Sequence, residues 1–218
     1  MNLDLSYALR STGAARAFTA DPVDDATVAA ILEHARFAPS GGNRQPWRVA
    51  VVHDPAMRQT MADLMRPVWN EYVGANAVGS TPMAFGRSID APPIATPNAL
   101  LDQIEAIPVV LAVAVDLTRV ALMDGHLDRP AVTGGASVYP FCWSVLLAAR
   151  AHGLGGVITT FLSRAEPAAA PALGLPRDHA LAATIFLGVP LHQPTKLRRN
   201  PVESFTTVDR FDGAPFRG

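Results

Sequence analysis

The sequence holds a single cysteine, Cys142, so it can form neither an intrachain disulfide nor a cysteine cluster for zinc or iron–sulfur. Its histidines (His34, His53, His126, His152, His179 and His192) are not paired at metal-ligand spacing, and no metal site is expected. Charge is scarce: charged residues make up 17% of the chain and the formal net charge is -1. That balance leaves no basic stripe for nucleic acid and no polybasic patch for a membrane surface. Long apolar runs are missing too. The longest, Ile107 to Val115, is far below the roughly 20 residues a membrane helix needs. The opening stretch MNLDLSYALRS has no cationic region followed by an apolar one, so no signal peptide is read and a cytoplasmic location is expected. Neither a P-loop nor a GxSxG nucleophile elbow occurs.

What is present is apolar. Hydrophobic residues make up 49% of 218 residues, enough for one domain with a sizeable core. A chain this apolar is expected to hide further surface in an oligomer or around a cofactor. Asp24 to Ala38 reads as a helix with Asp24 or Asp25 as N-cap and a stripe of Val28, Ile31, Leu32 and Ala35. Trp47 to His53 reads as a short buried strand and Pro55 to Tyr72 as a second helix. Residues 74–97 have weak periodicity and read as an excursion or lid. Pro108 to Asp116 is a strand apolar on both faces, and Gly155 to Thr160 and Leu181 to Gly188 are two more. Gly134 to Gly153 reads as a helix apolar nearly all round, with Pro140 in its first turns, buried centrally or in a subunit interface. From Pro190 the chain becomes an irregular basic tail. The alternation predicts an α+β or α/β sandwich, a mixed sheet with helices on both faces.

The segment GLGGVIT (Gly153 to Thr159) is not a dinucleotide loop. A Rossmann loop follows a strand and opens a helix, whereas these glycines follow a helix and open a strand. Gly153 reads instead as a left-handed helix cap. The segment APSGGNRQPW (Ala38 to Trp47) is different. As bare physics it is a polar turn between helix and strand, but Ser40, Asn43, Arg44 and Gln45 cluster donors and acceptors where glycines allow close backbone approach. A planar heterocycle with polar edges requires such chemistry.

In context, APSGGNRQPWR resembles the hallmark segment of the FMN-dependent nitroreductase family. Ala15-Arg16-Ala17-Phe18 with Pro22-Val23 resembles the family's N-terminal flavin segment, and Gly134 to Thr160 its central helix and following strand. Leu173-Gly174-Leu175-Pro176, Leu187-Gly188-Val189-Pro190 and Arg199-Asn200-Pro201 complete an ordered match over nearly the whole chain. The resemblance implies a single α+β domain over 1–218. It also implies an intertwined homodimer with FMN at the interface and the tail 190–218 reaching over the partner.

It implies roles as well. Arg16 would lie near the flavin pyrimidine edge, where a cation stabilises the anionic reduced form. Ser40, Gly41, Asn43 and Gln45 would contact ribityl chain and ring. Backbone N–H groups of Thr159 and Thr160 would face N5 and O4. Arg198 and Arg199, with Lys196 in reserve, would hold the phosphate. The activity implied is ping-pong hydride transfer from NAD(P)H via flavin N5 to a nitroaromatic, quinone or similar small oxidant, with no catalytic side chain. Thr12 and Ala14 depart from the family, which usually has arginine and serine there, and remove one expected phosphate contact. They motivate an alternative, a flavin-binding or flavin-sequestering module without turnover. A third reading is a nicotinamide-independent enzyme that degrades or modifies flavin.

Overall fold

The computed structural model describes residues 3–81 and 91–217. Its strands are β1 (Trp47–Val51), β2 (Val109–Asp116), β3 (Gly155–Thr159) and β4 (His179–Gly188). They pair in the order β1-β2-β4-β3. The sequence predicted a mixed sheet; the described strands instead pair antiparallel throughout. The reason lies in the connections. The helix after β1, α3 (Pro55–Ala77), runs out, and the chain returns through α4 (Ala99–Asp102) to start β2 at the end where β1 stopped. Two short helices, α6 (Phe161–Arg164) and α7 (Glu166–Leu173), do the same between β3 and β4. Only α5 (Tyr139–Ala151) makes a single pass, and it joins β2 to β3, which are not neighbours.

Helices cover both faces, as the patterning predicted. On β2 the side chains alternate between two cores. Val109, Leu111, Val113 and Val115 face α5 and α2 (Asp25–Ala35); Val110, Ala112 and Ala114 face α3 and the short helices. Asp24 caps α2 by accepting from the Thr27 N–H at 2.7 Å, and Val28, Ile31 and Ala35 are its buried stripe. Each fully buried aliphatic or aromatic side chain, such as Leu111 or Phe186, contributes roughly 1.5–3 kcal/mol. At the start of α5, Thr133–Ser137 form a 3-10 turn rather than α-helix, and Pro140 occupies the first turn, where a missing N–H costs nothing. Gly153 has φ 77, and the Leu154 N–H donates to the Ala149 carbonyl at 3.0 Å, closing a Schellman cap.

Of the expected excursion 74–97, the first residues continue α3, and residues 82–90 lie outside the described residues. Beyond them the chain straps back across α3. The Ile94 N–H donates to the Asn70 carbonyl at 3.0 Å and the Trp69 indole N–H to the Thr96 carbonyl at 2.9 Å. Gly74 permits this approach: a Cβ there would sit 2.2 Å from the Pro92 carbonyl oxygen. Gly74→Ala should therefore displace the strap. An overpacking cost of about 1–3 kcal/mol outweighs the roughly 0.8–1.0 kcal/mol that alanine adds to helix propensity. Limited proteolysis should find the 91–98 segment newly cleavable; a variant with a higher Tm and unchanged cleavage would refute the packing.

Candidate cofactor site

After α1 (Leu5–Ser11) the chain runs as an extended arm beside the end of the sheet. The Ala15 N–H donates to the Gly156 carbonyl at 3.0 Å, Thr19 to Val189 at 2.9 Å, and Leu191 back to Ala17 at 3.0 Å. Extended backbone alternates its side chains, so Ala15 is buried and Arg16 is exposed. Arg16 opens onto a cavity of about 390 Å³ that it shares with Thr159, Thr160 and Phe161 at the end of β3 and with Trp69 and Tyr72 of α3. Trp69 and Tyr72 stack with centroids 5.9 Å apart, and the Phe161 ring meets both edge-on at 5.8 and 5.9 Å. The Thr159 hydroxyl oxygen is buried and has no hydrogen-bond partner among the described residues. A buried, unsatisfied hydroxyl costs free energy, so its persistence on a cavity wall suits a polar ligand.

A second cleft, of about 580 Å³, lies at the other end of the arm between Arg10, Lys196 and Arg199. Lys196 is the chain's only lysine. None of the three has a carboxylate within ion-pair distance among the described residues. Clustered cations without counter-charges repel one another, and an anion relieves that repulsion. Arg198 does not line the cleft; its carbonyl accepts from the Arg199 guanidinium at 2.7 Å.

The loop Ser40 to Gln45 is elsewhere. Asn43 and Gln45 both adopt left-handed backbone, φ 52 and 49, next to Gly42 at φ 59. Non-glycine residues in that region cost on the order of 1–3 kcal/mol each. The Ser40 hydroxyl oxygen accepts from the Gln45 N–H at 2.9 Å, the Asn43 side chain from the Gln45 amide at 3.1 Å, and the Gly41 N–H donates to the Ser137 hydroxyl at 3.1 Å. The loop feeds β1, whose Trp47 stacks on Phe141 at 4.9 Å. β1 and β3 are the two edges of the sheet, about 14 Å apart at ordinary strand spacing. One chain thus brings Arg16 together with Thr159 and Thr160, and Arg199 with Arg10 and Lys196, but leaves Ser40, Gly41, Asn43 and Gln45 at the far edge.

Residues 9–189 match the sequence profile of the nitroreductase family. The chain belongs to that family. It is 29% identical over 206 residues to a Thermus thermophilus NADH dehydrogenase, covering 92% of this chain and 94% of that protein. It is 32% identical over 179 residues to the 5,6-dimethylbenzimidazole synthase of Rhodospirillum rubrum, covering 80% and 76%. The NADPH:FMN oxidoreductase of Vibrio harveyi, solved with NAD+, superposes with a TM-score of 0.68 at 20% identity, covering 94% of this chain and 76% of that one.

Within this nitroreductase chain, sequence reasoning passed over the Trp69–Tyr72–Phe161 cluster. Its only signal was an aromatic pair three residues apart on one helix face; Phe161 is distant in sequence. It also passed over Asp124, which accepts from the Val132 N–H at 2.9 Å and from Arg129 at 2.6 Å, and whose bond from the Thr133 hydroxyl is the largest cause holding its carboxyl well below the usual range. That knot fixes the segment leading to Ser137, and through it the Ser40 to Gln45 loop.

Proposed function

We propose that this nitroreductase is an FMN-dependent oxidoreductase that uses NAD(P)H to reduce a nitroaromatic, quinone or similar small oxidant. The observation that carries the reading is the arm. It sets an exposed arginine in a cavity with an unsatisfied hydroxyl at one end and a three-cation cleft at the other. That donor set fits a flavin mononucleotide, with its polar ring edge and its phosphate.

FMN, when bound, supplies two-electron redox chemistry through N5, in separate reductive and oxidative half-reactions. Arg16 would hold a fixed positive charge toward the polar ring edge of FMN. The Thr159 and Thr160 end of β3 offers donors to the ring edge. Arg10, Lys196 and Arg199 neutralise the phosphate, the guanidinium groups by two-pronged pairing; Arg198 stands beside them. Trp69, Tyr72 and Phe161 exclude water and orient a planar partner.

The reading includes a homodimer. Ser40, Gly41, Asn43 and Gln45 lie too far across the sheet to serve the same chain's Arg16, so they are assigned to the partner's flavin. Exposed apolar side chains on α1 (Leu5, Leu9) and along the tail (Phe205, Phe211, Phe216) are the surface such a dimer would cover.

The test is a spectrum of the purified protein followed by anaerobic titration with NADPH and NADH. The expected protein is yellow, or becomes so with FMN at one per chain. It bleaches with a nicotinamide and turns over with menadione or a nitrofuran. A protein that binds FMN without bleaching would instead be the sequestering module. A synthase of the benzimidazole type is the second reading, favoured by the Rhodospirillum rubrum relative. It is distinguished by chromatography: aerobic incubation with reduced FMN would yield 5,6-dimethylbenzimidazole.

A further inference from the structure

Position 12 lacks the cation that the family resemblance leads one to expect, and position 14 lacks its hydroxyl. Neither local hydroxyl fills the gap. Thr12 is buried and donates to the Ala8 carbonyl at 2.7 Å; Ser11 is buried and donates to the Tyr7 carbonyl at 2.6 Å. Both are committed to the last turn of α1. Yet the cleft exists, because the arm and the tail are clasped together just behind it.

Two contacts make the clasp. At Gly13 a Cβ would lie 2.7 Å from the Pro194 Cβ and 2.9 Å from a Leu197 methyl, so only glycine lets the tail lie directly on the arm. The Gln193 side-chain amide then donates to the Gly13 carbonyl at 3.2 Å and to the Ser11 carbonyl at 3.3 Å. Its orientation is dictated by these partners: a flipped amide would turn its oxygen against carbonyls. The cost is visible, since the Gln193 Oε1 is buried without a partner among the described residues. Beyond the clasp the tail delivers Lys196 and Arg199 to the cleft opposite Arg10. Three like charges would spread apart without such a restraint.

We infer that Gln193 is a positioning residue that assembles the phosphate cleft of this protein, with Arg10 supplying the cation absent from position 12. The inference rests on the proposed FMN reading. It makes the cleft preorganised, so that a phosphate monoester meets cations already gathered. Gln193 itself touches no ligand.

The test compares FMN with riboflavin, which lacks the phosphate, by flavin-fluorescence titration of the full-length protein. Gln193→Leu is expected to weaken FMN binding about tenfold, the value of one lost charge-assisted contact, while riboflavin binding stays within about twofold. Arg10→Ala, an exposed substitution that leaves the clasp intact, is expected to show the same selective loss. Equal losses for both flavins in Gln193→Leu would make the clasp a general fold contact and overturn the inference. An unchanged FMN-to-riboflavin ratio in Arg10→Ala would overturn the assignment of its cation, even if the Gln193 variant failed to fold. Failure of the underlying reading looks different: a wild-type protein that binds both flavins equally well has no phosphate cleft, and one that binds neither has no flavin site.

Discussion

Replacing Arg58 by leucine should remove roughly 4 kcal/mol or more of folding stability, at the extreme of what one substitution does. Arg58 sits in the first turn of α3, buried to 7% exposure, with its guanidinium spread over backbone carbonyls. It donates to Val52 at 2.8 Å, Ile107 at 2.7 Å and Glu105 at 3.0 Å. Those carbonyls belong to the end of β1 and the entry to β2, which no hairpin joins. Burial lowers the Arg58 pKa, the signature of a charge taken out of water. Leucine would leave the acceptors unsatisfied in the interior, at about 1–3 kcal/mol each. Since a domain retains about 5–15 kcal/mol in total, urea unfolding should show a midpoint moved far down or no native baseline at all. Arg58→Lys should recover only part of the loss, because an ammonium cannot reproduce the planar fork. A leucine variant within about 1 kcal/mol of wild type would show that water replaces the guanidinium.

Arg58 also marks the limit of sequence reading. In PAMRQT it looks like any solvated helix arginine, because its partners are backbone carbonyls, one just before the helix at Val52 and two far along the chain at Glu105 and Ile107, and carbonyls carry no side-chain signature. The elements legible beforehand were those with local periodicity. The α2 stripe and its aspartate cap, the doubly apolar β2 and the glycine cap at Gly153 each follow from a few adjacent residues. Strand direction was not legible, since it depends on how many times the chain crosses the sheet between strands, and the return of the chain after α3 carries no periodic signal in the sequence. The site divides the same way. Arg16 and Thr159 were named from separate blocks, and the arm beside β3 unites them. Lys196 was a reserve candidate and Arg10 carried no role until the clasp at Gly13 set both facing Arg199. The Ser40 to Gln45 loop was read as a ligand loop from its donors and glycines, but nothing in its composition revealed that it leads into the opposite edge of the sheet.

That separation yields a test whose outcomes differ by the whole activity. Take one chain carrying Arg16→Ala and Arg199→Ala, and another carrying Asn43→Ala and Gln45→Ala. Each homodimer should be nearly inactive. The first loses charge-assisted contacts at about 1.5–3 kcal/mol each. The second loses polar contacts and places alanine in left-handed backbone that disfavours it by roughly 1–2 kcal/mol per residue. Co-expressed with different affinity tags, the two chains can be isolated as a mixed dimer. If each flavin takes its arm from one protomer and its loop from the other, all four lesions fall on one site and the second site is intact. The mixed dimer should then bind one tight FMN and recover about half the wild-type activity, as two equivalent sites of a twofold dimer require. If instead arm and loop of the same chain met at one flavin, both sites of the mixed dimer would carry lesions and it would stay as inactive as its parents. Recovery also disposes of misfolding as the cause of the parental defects, because a chain that cannot fold cannot lend a working half-site to its partner.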